Sequence, residues 1–217
     1  MKGVTQILAF ALGPAKKKLC GNVNLQQNIE ETVDCLIKGQ SPKIPAIKLA
    51  YRLVNAKLNC QLLAKSRGFK NPFSQEVVKA YTLGDEKLIR GKKFIYHHNW
   101  QVLLKDDFQA ETKKNQKRFN NCLVLSGYVG RKGKKQAWIV FKGVEWDSKA
   151  KKVSFGKVRF IRARFPQSLE KQIQVGQYVA IHWDWIFALI SKEEATLLTK
   201  LTERIFNYFN VISMRAQ

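Results

Sequence analysis

Acidic residues are scarce in this 217-residue sequence, where 16 Asp and Glu stand against 39 Lys and Arg and the formal net charge is +23. Few carboxylates are available for acid/base catalysis. Neither a glycine-rich phosphate loop nor a Gly-x-Ser-x-Gly nucleophile motif is present. We therefore predict that the protein is not an enzyme. The positive charge favours polyanions or acidic proteins as partners.

Long apolar runs are also missing, because no window of the sequence reaches the roughly 20 apolar residues that span a bilayer. The mildly apolar residues 1–12 are followed by Gly13-Pro14 and three lysines, where a secretion signal would carry a small-residue cleavage site. We expect a cytoplasmic protein with no membrane partner. Gly13-Pro14 is expected to end the apolar segment in a turn.

Cysteines are few and widely spaced, at Cys20, Cys35, Cys60 and Cys122. The absence of a Cys-x-x-Cys pair argues against a zinc ribbon, and a cytoplasmic chain keeps its thiols reduced. Cys35 and Cys60 fall in helical patterns and are expected to be buried as small apolar side chains.

Apolar residues make up 45% of the sequence, which is enough to form a core. Apolar positions three or four residues apart predict helices at about 24–39, 45–66 and 74–91, with Ser74 as the N-cap of the third. The second helix carries a row of apolar residues that is expected to face the core. Its members are Ile47, Ala50, Leu53, Val54, Leu58 and Leu62.

The chain divides by periodicity into two parts. Residues 1–104 predict a mainly helical domain, although 94–104 fit a strand as well as a helix. Residues 105–120 are polar and basic, which is typical of a linker. Residues 121–217 then predict a β-barrel with a C-terminal helix.

The barrel is predicted from apolar alternation with a period of two. A first strand begins at Cys122, and a basic turn occupies 130–135. Strands follow at 137–141, as two short segments within 153–165, and at 178–183. Ser191 and Glu194 form a capping box that opens the last helix. The predicted fold class is α+β, with a small helical domain followed by an OB-like barrel.

Three motifs of the barrel occur in a familiar order. Residues 121–129 read Asn-Cys-Leu-Val-Leu-Ser-Gly-Tyr-Val, residues 175–182 read Val-Gly-Gln-Tyr-Val-Ala-Ile-His, and residues 191–195 read Ser-Lys-Glu-Glu-Ala. Residues 121–210 thereby resemble the HypC/HupF hydrogenase-assembly chaperones, which have Met-Cys-Leu-Ala-Ile-Pro-Gly-x-Val and Val-Gly-Asp-Tyr-Val-Leu-Val-His. The whole chain is also similar to a group of bacterial proteins with no assigned activity.

The resemblance implies a chaperone whose cysteine and histidine, here Cys122 and His182, hold iron with cyanide and carbon monoxide in transit to a nickel–iron hydrogenase. The implied partners are a hydrogenase large-subunit precursor or a HypD-like scaffold. Cys122, Trp183, Asp184 and Trp185 would contact them. This sequence departs from the family pattern at several points: the cysteine is internal, Ser126 replaces the proline, Gln177 replaces the aspartate, and Trp183-Asp184-Trp185 replaces a small Ala-Gly-Phe stretch. The strong positive charge is also not a family trait.

Each of these residues also has a structural interpretation. Cys122 fits a core position, and His182 fits a barrel cap whose ring bonds to the backbone. His97 and His98 are weaker metal candidates, because neighbours on a strand point to opposite faces. Asp184 fits a hydrogen-bond acceptor for tryptophan indoles.

A second functional interpretation follows from the localised charge. Residues 113–164 contain 16 Lys or Arg and two acidic residues, and basic barrels with aromatic residues bind RNA, the ribosome or single strands. The candidate phosphate contacts are Arg131, Lys132, Lys134, Lys135, Lys151, Lys152, Arg159, Arg162 and Arg164. The candidate stacking rings are Trp138, Phe141, Trp146, Phe155 and Phe160. A non-catalytic protein-interaction scaffold is the third option.

Overall fold

A computed structural model of the protein describes residues 2–16, 26–90, 93–104, 120–147, 149–150 and 152–215. Cys20, Lys151 and the predicted linker up to residue 119 lie outside these ranges. The fold is mixed α+β, as predicted, with helices first, then a five-stranded antiparallel sheet, then a long helix. Among the helices described, not one combines the length and apolar character that crossing a bilayer requires.

The helices that precede the sheet are shorter than predicted. In the second predicted helix, the N–H groups of Arg52 and Leu53 bond three residues back, which breaks the helix. In the third, Gly84 has φ +82°, and the Asp85 carboxylate accepts from the Leu88 N–H at 3.0 Å to start a new helix. The elements are α1 (Lys2–Lys16), α2 (Gln26–Ile37), α3 (Ala46–Tyr51), α4 (Val54–Arg67), α5 (Gln75–Thr82), α6 (Glu86–Arg90), a 3-10 helix (Lys93–Tyr96) and α7 (His98–Leu103).

The predicted buried stripe of the second helix is largely wrong. Val54 is 66% exposed and Leu58 is 53% exposed, whereas Cys60 and Leu63 are fully buried. Apolar residues occupy two sides of α4, so spacing alone could not indicate which side faces the core. The N-cap at Ser74 is confirmed, since its hydroxyl accepts from the Val77 N–H.

Helix α1 continues through Pro14, so the predicted turn at Gly13-Pro14 is wrong. Proline lacks the N–H that would bond to the carbonyl four residues earlier. The side chain of His182 replaces that donor, as described below. Gly13 allows the close contact: a Cβ there would lie 2.5 Å from the His182 carbonyl oxygen.

The sheet has the order β3-β2-β1-β4-β5. Its two edge strands meet at a single parallel bridge between Arg164 and Trp185, where the Arg164 N–H donates to the Asp184 carbonyl at 2.9 Å. The result is a partly open barrel, the form that OB folds take. The strands are β1 (Leu125–Lys132), β2 (Gln136–Asp147), β3 (Lys152–Arg164), β4 (Tyr178–Ile181) and β5 (Ile186–Leu189).

Several strand boundaries differ from the prediction. Cys122 lies in a helical turn before β1, and residues 153–164 belong to one long strand rather than two. Strand β5 was not predicted. The turn before it has Trp183 at φ 57°, where glycine or asparagine is usual, so its composition gave no signal.

The last helix, α8 (Lys192–Arg215), begins at the predicted capping box. The Glu194 N–H donates to the Ser191 hydroxyl at 3.2 Å, and the Ser191 N–H donates to the Glu194 carboxylate at 2.9 Å. Helix α8 covers one half of the sheet's outer surface, where Phe155 and Phe206 pack with ring centroids 5.2 Å apart. Buried side chains from α1 to α8 form one continuous core.

Candidate functional sites: a buried histidine cluster and an exposed basic face

His182 lies in the turn between β4 and β5 and is only 2% exposed. Its Nδ1 is 3.0 Å from the carbonyl oxygen of Phe10. A carbonyl can only accept, so Nδ1 carries the hydrogen and donates it. This is the carbonyl that Pro14 leaves without a helical donor. The imidazole also stacks on the Phe10 ring, with centroids 4.2 Å apart, so His182 joins α1 to the sheet.

His98 is the first residue of α7, and its two ring nitrogens are both engaged. Nε2 is 3.0 Å from the Cys122 carbonyl oxygen and therefore donates. Nδ1 is 3.1 Å from the Tyr81 hydroxyl and therefore accepts. The His98 and His182 rings meet edge to face, with centroids 4.8 Å apart. Of the two alternatives for residues 94–104, the helix is the one observed here, and both histidines lie at its start.

His97 is fully buried and caps α7, with Nδ1 accepting from the Asn99 N–H at 3.1 Å. Burial lowers the pKa of His97 to about 3, against weaker opposing effects from the Thr82 backbone and the Asp85 charge. The side chain is therefore neutral at physiological pH. Its role in this structure is that of a helix cap.

Cys122 is half-buried and packs against the core. The Cys122 backbone carbonyl accepts from His98 Nε2. Among the described residues, no group of three or more His, Cys, Asp or Glu side chains is arranged to hold a metal ion. Iron binding by Cys122 and His182 stays a prediction. The interpretation of Cys60 as a buried thiol is confirmed, and burial raises its pKa to about 12.

The tryptophans beside His182 are core residues. Trp183 is 7% exposed and Trp185 is 2% exposed, so neither ring forms an open surface for a partner. Asp184 contributes its backbone carbonyl to the bridge with β3. In the described structure, the Trp183 indole N–H is buried without a hydrogen-bond partner. The expected hydrogen bond from this indole to Asp184 is therefore not formed.

A cavity of about 340 Å³ opens beside the histidine cluster. Its inner wall includes the rings of Phe10, Tyr81, His98 and His182, and the break between α3 and α4 forms its rim. Val54 and Leu58, which are 66% and 53% exposed, also line this cavity, so the cluster lies in a pocket that opens to solvent.

The predicted basic residues fall into two groups, and one of them lies on the half of the sheet that α8 leaves bare. Strand register places Arg131 opposite Trp138, and Trp138 opposite Arg162. The next row pairs Tyr128 with Val140, and Val140 with Phe160. We call this surface the outer face, defined by Tyr128, Arg131, Trp138, Phe160 and Arg162.

The rings of the outer face are strongly exposed. Phe160 is 68% exposed, and Trp138 and Tyr128 are each 44% exposed. Within the part of the chain that the structure describes, no ion pair involves Arg131 or Arg162. Tyr128 was missed in the sequence, although its alternation with buried Gly127 and Val129 was a usable signal.

The remaining predicted stacking rings contribute to packing instead. Phe141 is buried, and Trp146 and Phe155 are half-buried against the core. Trp146 contacts Phe209 of α8, with ring centroids 6.2 Å apart. Phe141 alternates with Trp138 along β2 and therefore lies on the inner face. Trp146 and Phe155 pack against α8, and a sequence does not show which half of a face a helix covers.

The second group of basic residues lies near acidic neighbours. Lys134 and Lys135, at the β1–β2 hairpin tip, line a cleft with Glu30, Glu31 and Asp34 of α2. Arg164 lines the same cleft.

Two other predicted phosphate contacts already have partners. Lys132 Nζ donates to the Glu170 carbonyl at 2.6 Å, and Arg159 pairs with Glu145 at 3.4 Å. Lys152 is exposed at the start of β3. The predicted basic surface is therefore concentrated around Arg131 and Arg162.

The part of the chain that contains these features matches a known family. A family model covers residues 93–216, which is more than half of the sequence. The chain belongs to DUF6390, a family of unknown function. The DUF6390 match begins just before α7 and includes Cys122, His182 and the whole outer face. Neither curated proteins nor solved structures gave a match.

Proposed function

We propose that this protein binds single-stranded nucleic acid, with RNA as the first candidate, through the outer face. The observation that carries the proposal is the row Arg131–Trp138–Arg162, in which an exposed indole lies between two arginines on neighbouring strands. Aromatic rings stack on bases, and arginines neutralise phosphates or stack in turn.

The position of the rings supports the proposal. Trp138 lies on β2 and Phe160 on β3, and OB folds bind oligonucleotides on the face of strands 2 and 3. The two side chains are diagonal neighbours on one face, a spacing of roughly 7–8 Å. Stacking of two or three bases on sheet aromatics is also the mode that RRM domains use.

A groove of about 500 Å³ continues from the outer face toward α8. It is lined by Tyr128, Lys142 and Val158 from the sheet and by Thr199 and Lys200 from the helix. A strand that leaves the rings can follow this groove with cations on both sides.

The hydrogenase-assembly interpretation ranks below this one. It requires an accessible thiol and imidazole, whereas His182 is 2% exposed and its Nδ1 is bonded to Phe10.

The test is fluorescence anisotropy with labelled 12-nucleotide single-stranded RNA and DNA and with duplex DNA, at several salt concentrations. The double variant Trp138→Ala/Phe160→Ala should bind single strands at least about 30-fold more weakly, because stacking contributes roughly 1–3 kcal/mol per base and two rings are removed. The matched control Tyr51→Ala/Phe69→Ala removes two exposed rings elsewhere and should bind as wild type. Equal loss in both variants, or binding that ignores salt, would refute the proposal.

A further inference from the structure

Helices α3 and α4 leave a row of apolar side chains in contact with solvent. We call it the apolar stripe and define it by Ile47, Tyr51, Val54, Leu58 and Leu62. Their exposed fractions are 41, 45, 66, 53 and 43%. Positions four apart lie on one side of a helix, so Val54, Leu58 and Leu62 form a continuous ridge on α4. Contiguous apolar surface of this kind marks an interaction site.

The residues of the apolar stripe are not the ones that pack α4 against the core. Helix α4 already buries Ala56, Cys60, Leu63 and Ala64 on its other side. A helix that is apolar on both sides is typical of one that is covered on both sides. The exposed side of α4 is therefore matched to an apolar environment outside the chain.

The segment of sequence that contains the apolar stripe carries charge of one sign. Between Asp34 and Glu76 the sequence contains no acidic residue. Eight basic residues occupy that segment, and Arg67 among them is paired with Asp85. The other seven are Lys38, Lys43, Lys48, Arg52, Lys57, Lys65 and Lys70. A second copy of this chain would bring two such segments together, and like charges oppose that contact. The environment that covers the stripe has to be both apolar and anionic.

We propose that the apolar stripe inserts into the interfacial layer of an anionic lipid bilayer. Apolar side chains flanked by lysine and arginine are the pattern of helices that lie in the plane of the interface. Each basic residue near an anionic surface adds attraction that salt screens. Tyr51, and Phe69 just after α4, supply rings of the kind that settle at headgroup level.

This surface was not expected from the sequence, which predicts no membrane partner. That prediction was made because no segment is long and apolar enough to cross a bilayer. The apolar stripe would only contact one leaflet, which does not need such a segment. The stripe is also separate from the outer face, since one lies on α3 and α4 and the other on β1, β2 and β3.

The test is co-sedimentation of the full chain with large unilamellar vesicles, made either of phosphatidylcholine alone or with one quarter phosphatidylglycerol. Wild type should bind the anionic vesicles and bind the neutral ones weakly. The variant Val54→Ser/Leu58→Ser keeps every charge and should need at least about tenfold more lipid for half-binding, given the apolar area removed. The control Val175→Ser/Val211→Ser changes residues that are 66% and 44% exposed elsewhere and should bind within about twofold of wild type.

Three results would overturn the proposal. Wild type could fail to bind anionic vesicles. The stripe variant could bind them as wild type does, in which case general positive charge or the outer face is responsible. Light scattering could show that wild type is a dimer and that the stripe variant is a monomer, in which case a second copy covers the stripe.

Discussion

The histidine cluster and the outer face differ in how their polar groups are satisfied. In the cluster, the buried His182 donates to Phe10, and the half-buried His98 bonds to both Tyr81 and Cys122. On the outer face, Arg131 and Arg162 flank an exposed indole, and no ion pair within the described residues engages them. A buried polar group with its bonds made serves the fold, whereas exposed rings among cations are available to a ligand. Substitutions in the histidine cluster should therefore change the stability of the fold, whereas substitutions on the outer face should change the affinity for a ligand.

The largest expected effect is on stability, at His182. His182→Ala removes the donor to the Phe10 carbonyl and leaves a space in the core, so it should lower the free energy of unfolding by about 3 kcal/mol. Urea unfolding followed by circular dichroism measures this value. Affinity for single strands should stay unchanged.

A second variant tests whether His182 stabilises the fold by replacing the N–H that Pro14 lacks. Pro14→Ala supplies an N–H that can donate to the Phe10 carbonyl within α1, so His182→Ala should cost about 1 kcal/mol less in that background. If the two substitutions are additive, the proposed link between Pro14 and His182 is wrong.

The next effect concerns pH and His97. Its pKa is about 3 in the folded protein and 6.5 when unperturbed, so the unfolded chain takes up a proton that the folded chain does not. This contribution to stability is complete above pH 6.5 and is lost as pH falls toward 3, at up to about 1.4 kcal/mol per pH unit. His97→Asn keeps a capping acceptor but does not titrate, so its unfolding free energy should fall less between pH 6.5 and 5. Parallel pH profiles would contradict this assignment.

Sequence periodicity predicted the α+β class, the capping box at Ser191 and Glu194, and the N-cap at Ser74. These are local features, set by residues three or four apart. The course of α1 through Pro14 could not be predicted, because the compensating donor is His182, 168 residues away in sequence.

Contacts between residues that are distant in sequence also decide which candidate site residues are exposed, and these contacts could not be predicted. Trp138 and Phe155 are both aromatic residues in basic strands, but α8 covers only the second. Which half of the sheet a helix covers is a tertiary property. For the same reason Val54 and Leu58 were expected in the core and lie on the surface.

A smaller effect on the free energy of unfolding is expected from substitution of Cys122. Cys122→Ala removes one half-buried sulfur atom and should cost about 1 kcal/mol or less, with no change in nucleic-acid affinity. An anaerobic pull-down from cells that express the tagged protein tests the chaperone interpretation. Capture of hydrogenase precursor or iron by wild type and not by this variant would support that interpretation over the outer face.

The smallest effect is expected at the hairpin tip. Lys134→Gln/Lys135→Gln removes two charges beside the acidic residues of α2, so affinity for single strands should change less than about threefold. Arg131→Gln/Arg162→Gln removes the same charge from the outer face and should reduce the salt slope by about 1.4, or roughly 0.7 per phosphate contact. Equal effects of the two variants would mean that overall charge, and not the outer face, governs binding.

Photo-crosslinking is the most direct test of nucleic-acid binding by the outer face. A 4-thiouridine-containing single-stranded RNA would be irradiated with the protein, and the modified peptides would be identified by mass spectrometry. Crosslinks should concentrate on the β2 and β3 peptides that contain Trp138 and Phe160, and should be lost at high salt. Crosslinks found only on other peptides, with none on β2 or β3, would contradict the proposed function.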